Sequence, residues 1–376
     1  MIKHLHIISF DIPYPADYGG VIDVFYKIKA FHKAGINVHL HCFEYGREHT
    51  NELNKYCSEV HYYKRNTGLK ANLSKVPYII NSRISKELAN RLNIDNYPIL
   101  CEGIHSCGIL YFEDLYKNRK IIYRAHNVEH EYYNELHKSE KNVAKKLYYK
   151  LEATKLLEWE TNLEKVDLIL TLSENDRDYY KSRFKNKKVL NTFLFYNNDK
   201  IQETSLNSIK KYILYHANLS VNENIEAALT IINNIAPKID TLFIIAGKNP
   251  SKSIYTAAKD KANVEIIANL SEDKMRTILI NAHINILITK QATGLKLKLI
   301  NSIYQGKHII ANNEMLSGSH LDKCVNLANT DNEIIEKVNI LMDTDFSIKD
   351  YKNRLFDIPS QYNNDKQIKE IINIIY

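Results

Sequence analysis

Apolar residues along this chain come in short runs separated by stretches of helical spacing. "HLHIISF" (residues 4–10) is an apolar run of strand length. "GGVIDVFYKIKAFHKAG" then places Val21, Val24, Phe25, Ile28 and Phe31 on one helical face and closes on Gly35. "INVHLHCF" follows as the next strand. A strand, a helix and a strand in this order make a β-α-β unit, the building block of a parallel sheet. Further strands are predicted at "VHYYK", "PILCEG", "KIIYRAH" and "DLILTLS", with helical periodicity between them. "LSENDRDYYKSRF" opens on Ser173 with an acidic first turn, the pattern of a capped helix start.

Around residues 191–211 the periodicity dissolves into polar residues, and then a second alternation begins. Its predicted order is strand "YILYHA", helix "NENIEAALTIINNIAP", strand "TLFIIAG", strand "VEIIANL", helix "SEDKMRTILINAH" and strand "INILIT". A helix spanning "GLKLKLINSIYQ", stopped at Gly306, and a strand "HIIAN" complete it. Two such alternations predict an α/β protein of two Rossmann-like, doubly wound domains facing across a cleft. The expected domains are 1–195 and 206–355, with a helix over 360–376 whose apolar end, "IINIIY", packs back on the first domain.

At 376 residues the chain is long enough for two ordinary cores. With 44% hydrophobic and 25% charged residues it reads as globular, and no stretch approaches the ~18 apolar residues of a membrane span. The first residues lead straight into a strand rather than into a signal-peptide pattern. Five cysteines show no metal-ligand or CxxC spacing, so a reducing compartment, the cytoplasm, is expected. The net charge of +7 suits a phosphate-rich ligand or an anionic membrane face. Nucleic acid is not expected as a partner, because no run joins clustered bases to a recognition or stacking motif. The helical run "KSEKNVAKKLYYKLEATKLLEWE" sets Lys141, Lys145, Lys146 and Lys150 beside Leu147 and Leu151. That pattern offers peripheral contact with an anionic membrane, or a solvated helix over its own domain.

No GxGxxG follows either first strand, which argues against a nicotinamide dinucleotide site. Gly19 and Gly20 lie where the first loop turns into a helix, a place where backbone can approach a ligand and the helix start suits an anion. His126 in "YRAHN" and His105 in "CEGIHSC" end predicted strands, where α/β sheets place ligands. His216 after "YILY" reads as a core histidine. The helix start "TGLKLKL" carries lysines where the macrodipole favours acids, which points to a negative ligand nearby. Lys296 and Lys298 lie about 200° apart at ~3.6 residues per turn. Lys296 is therefore expected at the ligand and Lys298 largely turned away. Lys248, after "IIAG", is a further candidate cation at a strand end.

The loop ending "PYPADYGG", the "AHN", the "LSENDRDYY" before the linker and the glycine–lysine helix running into "QGKHIIAN" resemble, in that order, the GT-B retaining glycosyltransferases of family 4. The resemblance is closest to a bacterial subgroup with a "GxKxKLxNA"-like helix. It spans nearly the whole chain. It implies transfer of a hexose from a nucleotide diphosphate sugar, of UDP or GDP type, onto a glycan or lipid-linked acceptor in cell-surface polysaccharide synthesis. No metal and no other cofactor is expected, since such enzymes use helix dipoles and bases instead.

By resemblance His126 lines the cleft near the reacting sugar, Asn127 and Glu129 lie on the acceptor side with His105, and Gly19 and Gly20 approach the donor diphosphate. Thr293 and Asn301 stand where the family has two glutamates for the donor sugar and ribose, and Gly294 opens the same helix. Asn218 and Glu223 stand where the family has an Arg and a Lys for the diphosphate, so the cationic grip passes to Lys296 and Lys298. Loss of both glutamates leaves a non-catalytic GT-B partner protein, or a nucleotide-sugar epimerase or hydrolase, as alternatives.

Overall fold

The strand–helix alternation is realised in the computed structural model of the chain, which describes residues 2–68, 74–140, 142–197, 211–290 and 297–376. In chain order it forms β1 (Lys3–Ser9), α1 (Gly19–Lys33), β2 (Ile36–Phe43), β3 (Glu59–Tyr63), β4 (Ile99–Glu102) and β5 (Ile121–Ala125). Then come α2 (Glu129–Ser139), α3 (Val143–Trp159), β6 (Leu168–Thr171), α4 (Glu174–Arg183) and β7 (Lys188–Asn191). The second alternation comprises β8 (Ile213–Asn218), α5 (Asn222–Thr230), β9 (Phe243–Lys248), α6 (Lys252–Ala258), β10 (Val264–Ala268) and α7 (Glu272–Asn281). It continues with β11 (Ile284–Leu287), α8 (Leu297–Gln305), β12 (His308–Ala311) and β13 (Asn326–Leu327), and α9 (Asn364–Ile375) closes the chain.

Residues 1–196 with 361–376 make one compact unit, and residues 197–360 a second. The first holds a parallel sheet in the order β3-β2-β1-β4-β5-β6-β7, the second one in the order β10-β9-β8-β11-β12-β13. Each sheet reverses direction beside its first strand, the switch point at which open α/β sheets bind ligands. The edge strands β7 and β13 and the short helix α6 went unread in the sequence. They carry four, two and seven residues, and α6 buries only Ile254, so none has a periodic face to detect.

The apolar face of α1 packs Val24, Phe25, Ile28 and Phe31 against Leu5, Ile7, Val38 and Leu40 of β1 and β2. Ile368, Ile371, Ile372 and Ile375 of α9 join that same core. At ~1.5–3 kcal/mol for each buried isoleucine, this contact is a large part of the unit's stability. The Lys33–Asp365 pair (2.6 Å) lies over it in solvent, where an ion pair contributes little. In the second unit, a Cβ on Gly306 would come within 2.7 Å of Asn285 Nδ2 and Ser302 O, so only glycine lets α8 end against β11.

The opposite face of β1, β2 and β3 carries a ladder of histidines. His4 Nδ1 meets His39 Nε2 and His6 Nδ1 meets His41 Nε2, both at 2.9 Å, and His41 Nδ1 meets the Tyr63 hydroxyl at 2.9 Å. Burial holds the His41 pKa well below its usual value, and the neighbouring His6, His61 and His39 and the Arg91 charge add to this. Burial also lowers His6, although Asp95, at 3.0 Å, pulls against it. Below the ordinary value of 6.5 the unfolded chain therefore takes up protons that the folded one refuses. Stability from these two groups is full above that pH and falls as the pH drops. Thermal melts from pH 7.5 to 5.5 should show a falling Tm, and His41→Phe should lose less over that range than the parent. Parallel pH profiles would show that other groups set the acid limb.

Candidate active site

Helix α1 buries an acid and a base one turn apart, Asp23 and Lys27. Lys27 Nζ donates to Asp23 Oδ2 at 2.7 Å and to Glu102 Oε1 and Oε2 at 2.7 and 2.9 Å. Glu102 is the last residue of β4. Arg124 of β5 donates Nε and Nη2 to the two Asp23 oxygens at 3.1 and 3.2 Å. It also reaches the carbonyls of Thr171, Thr192 and Phe193. All four charged side chains are completely buried. Two acids face two bases, so the group closes without net charge. Burial alone would raise the Asp23 pKa, but Arg124, then Lys27, then His126 outweigh it and hold the carboxyl well down. Glu102 is likewise held below its usual value, with Lys27 the chief cause acting against burial.

His126 follows β5 and rests on this group. Its Nε2 lies 3.1 Å from Glu102 Oε2 and 3.8 Å from Asp23 Oδ2. With a carboxylate accepting there, Nε2 carries a hydrogen. Nδ1 faces the start of α1: a Cβ added to Gly20 would sit 3.5 Å from it and 2.5 Å from Phe10 Cζ. Gly20 thus has a packing reason to be glycine, since any side chain would collide with the Phe10 ring, which meets His126 edge-on at 5.4 Å. His105 packs its ring on Phe10 at 5.3 Å and leaves Nδ1 buried without a hydrogen-bond partner among the described residues. Burial, then the Arg83 charge, depresses its pKa strongly, so it is a neutral ring.

Asp23, Glu102 and His126 offer ligand atoms close enough for a metal ion. The Lys27 ammonium already sits at hydrogen-bond distance from both carboxylates, and a divalent ion would have to expel it. The donor set fits a built-in cation instead.

The structure gathers Gly19, Gly20, His105 and His126 at the carboxyl edge of β1, β4 and β5. Asn127 and Glu129 follow at the start of α2, with Asn127 Nδ2 3.5 Å from Glu129 Oε1. Burial raises Glu129 to about 7 and Asp176, at the start of α4, to about 6, so both titrate well above the usual carboxylate range. Asp23, Lys27, Glu102 and Arg124 were missed in the sequence, and the histidine they hold was found without them. The exposed flank of α3 carries Val143, Leu147 and Leu151, each more than half exposed, beside Lys145 and Lys150.

In the second unit, Asn218 closes β8 and accepts from Ser220 N and Oγ through Oδ1. Asn224 Nδ2 donates to the Asn218 carbonyl, and Lys298 Nζ donates to Asn224 Oδ1 at 3.2 Å while lying 5.2 Å from the Tyr215 ring centre. Lys298 therefore does not turn away from the candidate residues, as helical spacing alone suggested. Its long stem carries the ammonium to the carboxyl end of β8, beside Asn218. Glu223, in the first turn of α5, keeps a buried Oε2 with no hydrogen-bond partner among the described residues. His216 is buried, lies 3.3 Å from Ser302 Oγ, and is pushed down to about 3 by burial and then Lys298. Lys248 is exposed at the end of β9, and Asn301 is half-buried on α8. Thr293, Gly294 and Lys296 lie outside the described residues.

No family model matches the chain. An uncharacterized 44.6 kDa protein in the cps region of Klebsiella pneumoniae is 24% identical over 330 residues, covering 81% of each chain. Among solved structures, the sucrose-phosphate synthase of Thermosynechococcus elongatus superposes with a TM-score of 0.71 at 12% identity, over 99% of this chain and 98% of that one. Anabaena Alr3699/HepE, in complex with UDP and glucose, gives 0.66 at 9% identity over 99% of both. These neighbours are GT-B proteins, and this chain has the GT-B fold.

A buried quartet predicts its own mutational signature. Asp23→Asn leaves Lys27 and Arg124 under-neutralised in an apolar setting and should cost about 3–5 kcal/mol in chemical denaturation. Adding Lys27→Met to Asp23→Asn should cost clearly less than the sum of the two single changes. Additive losses would mean the charges do not act as one group.

Proposed function

We propose that this protein is a retaining glycosyltransferase that moves a hexose from a nucleotide diphosphate sugar to a glycan or lipid-linked acceptor in cell-surface polysaccharide synthesis. The observation that carries the reading is His126 held by Glu102 at the carboxyl edge of a GT-B sheet, with Gly19 and Gly20 beside it. The K. pneumoniae relative from a cps region supports the polysaccharide setting, and the UDP and glucose held by Anabaena HepE support a nucleotide-sugar donor.

In the proposed reaction the bond from the sugar's anomeric carbon to the diphosphate oxygen breaks. The acceptor hydroxyl oxygen bonds the same carbon on the same face, and its proton passes to the departing phosphate. Charge accumulates on the diphosphate as the bond stretches, so preorganised cations and helix-start N–H groups accelerate the step. Lys296 and Lys298 supply that charge, and Asn218, Asn301 and Thr293 supply neutral hydrogen bonds. His126 orients the sugar through Nδ1, because Nε2 is committed to Glu102. Asn127, Glu129 and His105 belong to the acceptor side. Exposed apolar residues and lysines on α3 suit peripheral contact with the inner face of a membrane.

A thermal-shift panel of nucleoside diphosphates and their sugars tests the donor, since a ligand of the folded state raises its apparent stability. Turnover with an acceptor supports transfer. Binding without turnover points to a non-catalytic partner protein, and free sugar or a new nucleotide sugar without acceptor points to a hydrolase or epimerase. His126→Ala should lower turnover by roughly one to three decades while nucleoside diphosphate affinity stays intact; equal loss of both would make it structural. Lys296→Ala should weaken nucleoside diphosphate binding by about 1.5–3 kcal/mol, the scale of a charged hydrogen bond. Calorimetry with the bare nucleoside should show almost no change, and an unchanged diphosphate affinity would move the cationic grip elsewhere.

A further inference from the structure

Beyond β1, β2 and β3, at the same carboxyl edge as His105, two guanidinium groups crowd one aromatic ring. The Arg65 guanidinium carbon lies 4.3 Å from the centre of the Tyr45 ring, and that of Arg83 lies 5.9 Å from it. Arg65 donates Nε and Nη2 to the Ser82 hydroxyl, and Arg83 donates Nε to the Phe10 carbonyl at 3.1 Å and Nη1 to the Ile79 carbonyl at 2.7 Å. Arg83 is 4% exposed, while Tyr45 is 61% exposed.

Two like charges at this spacing repel, and a buried arginine normally has an acid beside it. Neither has one within ion-pair distance among the described residues, and residues 69–73, which follow Arg65 closely, contain no acid. Asp11, whose charge Arg83 feels, is already taken by the Ile12 N–H at 2.8 Å and the Tyr18 hydroxyl at 2.7 Å. The strain shows in Arg83, whose pKa is lowered to about 9 by burial and then by Arg65. Guanidinium forks match paired oxygens of carboxylates and phosphates, and an exposed tyrosine ring offers a flat apolar face. An anion between the forks would relieve the repulsion.

We infer that this edge binds an acidic sugar, with Arg65 and Arg83 taking its carboxylate or phosphate and Tyr45 carrying a sugar ring. The inference rests on the glycosyltransferase reading in one respect only, that the acidic sugar is the acceptor.

The full chain is titrated with three probes: a glucuronate-terminated oligosaccharide, the same oligosaccharide ending in glucose, and a phosphorylated counterpart. At least one acidic probe should bind roughly tenfold or more tightly than the neutral one, the scale of a charged hydrogen bond. Whichever acid wins identifies the source of the anion. Arg65→Gln should abolish that preference. Lys117→Gln, which removes the same charge from the remote Lys117–Glu113 pair, should leave it unchanged. Tyr45→Ala should weaken acidic and neutral probes alike. Equal binding of all three probes, or a preference that survives Arg65→Gln, overturns the inference. Nucleoside diphosphate binding is measured in parallel. Its absence alongside a retained acidic preference would sink the transferase reading and leave this site standing.

Discussion

The first unit is organised around one fully buried set of charges, Asp23 and Glu102 against Lys27 and Arg124. The members come from three elements, α1, β4 and β5, and each satisfies the others only at one spacing. Lys27 binds α1 to the end of β4, and Arg124 binds β5 to α1 and to the chain after β7. The Phe195 N–H donates to Asp23 at 2.8 Å, so the path of residues 192–195 is set by the same carboxylate. Desolvating these groups is costly, and a well-packed apolar set could match their stability. What they supply is register: an apolar core tolerates small slips, whereas an unpaired buried charge does not.

That rigidity reaches the surface through His126. Glu102 fixes one ring nitrogen, Phe10 fixes the ring edge-on, and Gly20 leaves the space that lets both do so. The imidazole is thus held by strand ends on one side and a helix start on the other. Nearby, His105 is kept neutral and Glu129 poised near neutrality by burial. The carboxyl edge of one sheet therefore presents a cation pair, a neutral imidazole, an oriented imidazole and an acid with a raised pKa within a few strand ends.

Strand and helix order was legible because period-two and period-3.6 patterns are local, as in "INVHLHCF" and the face of α1. His126, His105 and the Gly19–Gly20 pair were legible because strand ends and helix starts are places where chemistry is expected. The charges beneath them were not. Asp23 and Lys27 are an i,i+4 acid–base pair, which on sequence grounds describes a solvated helix surface. Their burial depends on Glu102 and Arg124, 75 and 101 residues away. The histidine ladder was hidden for a similar reason: alternating histidines in β1 and β2 read as the wet side of a strand until Asp95 and Tyr97, far along the chain, pack on them. Lys298 shows the limit of helical spacing, since a four-carbon stem can carry its charge well away from the direction its Cα suggests.

The placement of α9 has a consequence for biosynthesis. The core of the first unit includes Ile368, Ile371, Ile372 and Ile375, yet the ribosome makes residues 197–360 before it makes them. At roughly 5–20 residues per second, the groove on α1 stays uncovered for on the order of ten to thirty seconds of translation. During that interval the nascent chain shows an isoleucine-sized apolar strip to the cell, a natural holding place for a chaperone. A stop codon just upstream of Asn364 would make the exposure permanent, so a truncated product should be recognised and degraded even though its second unit has already folded.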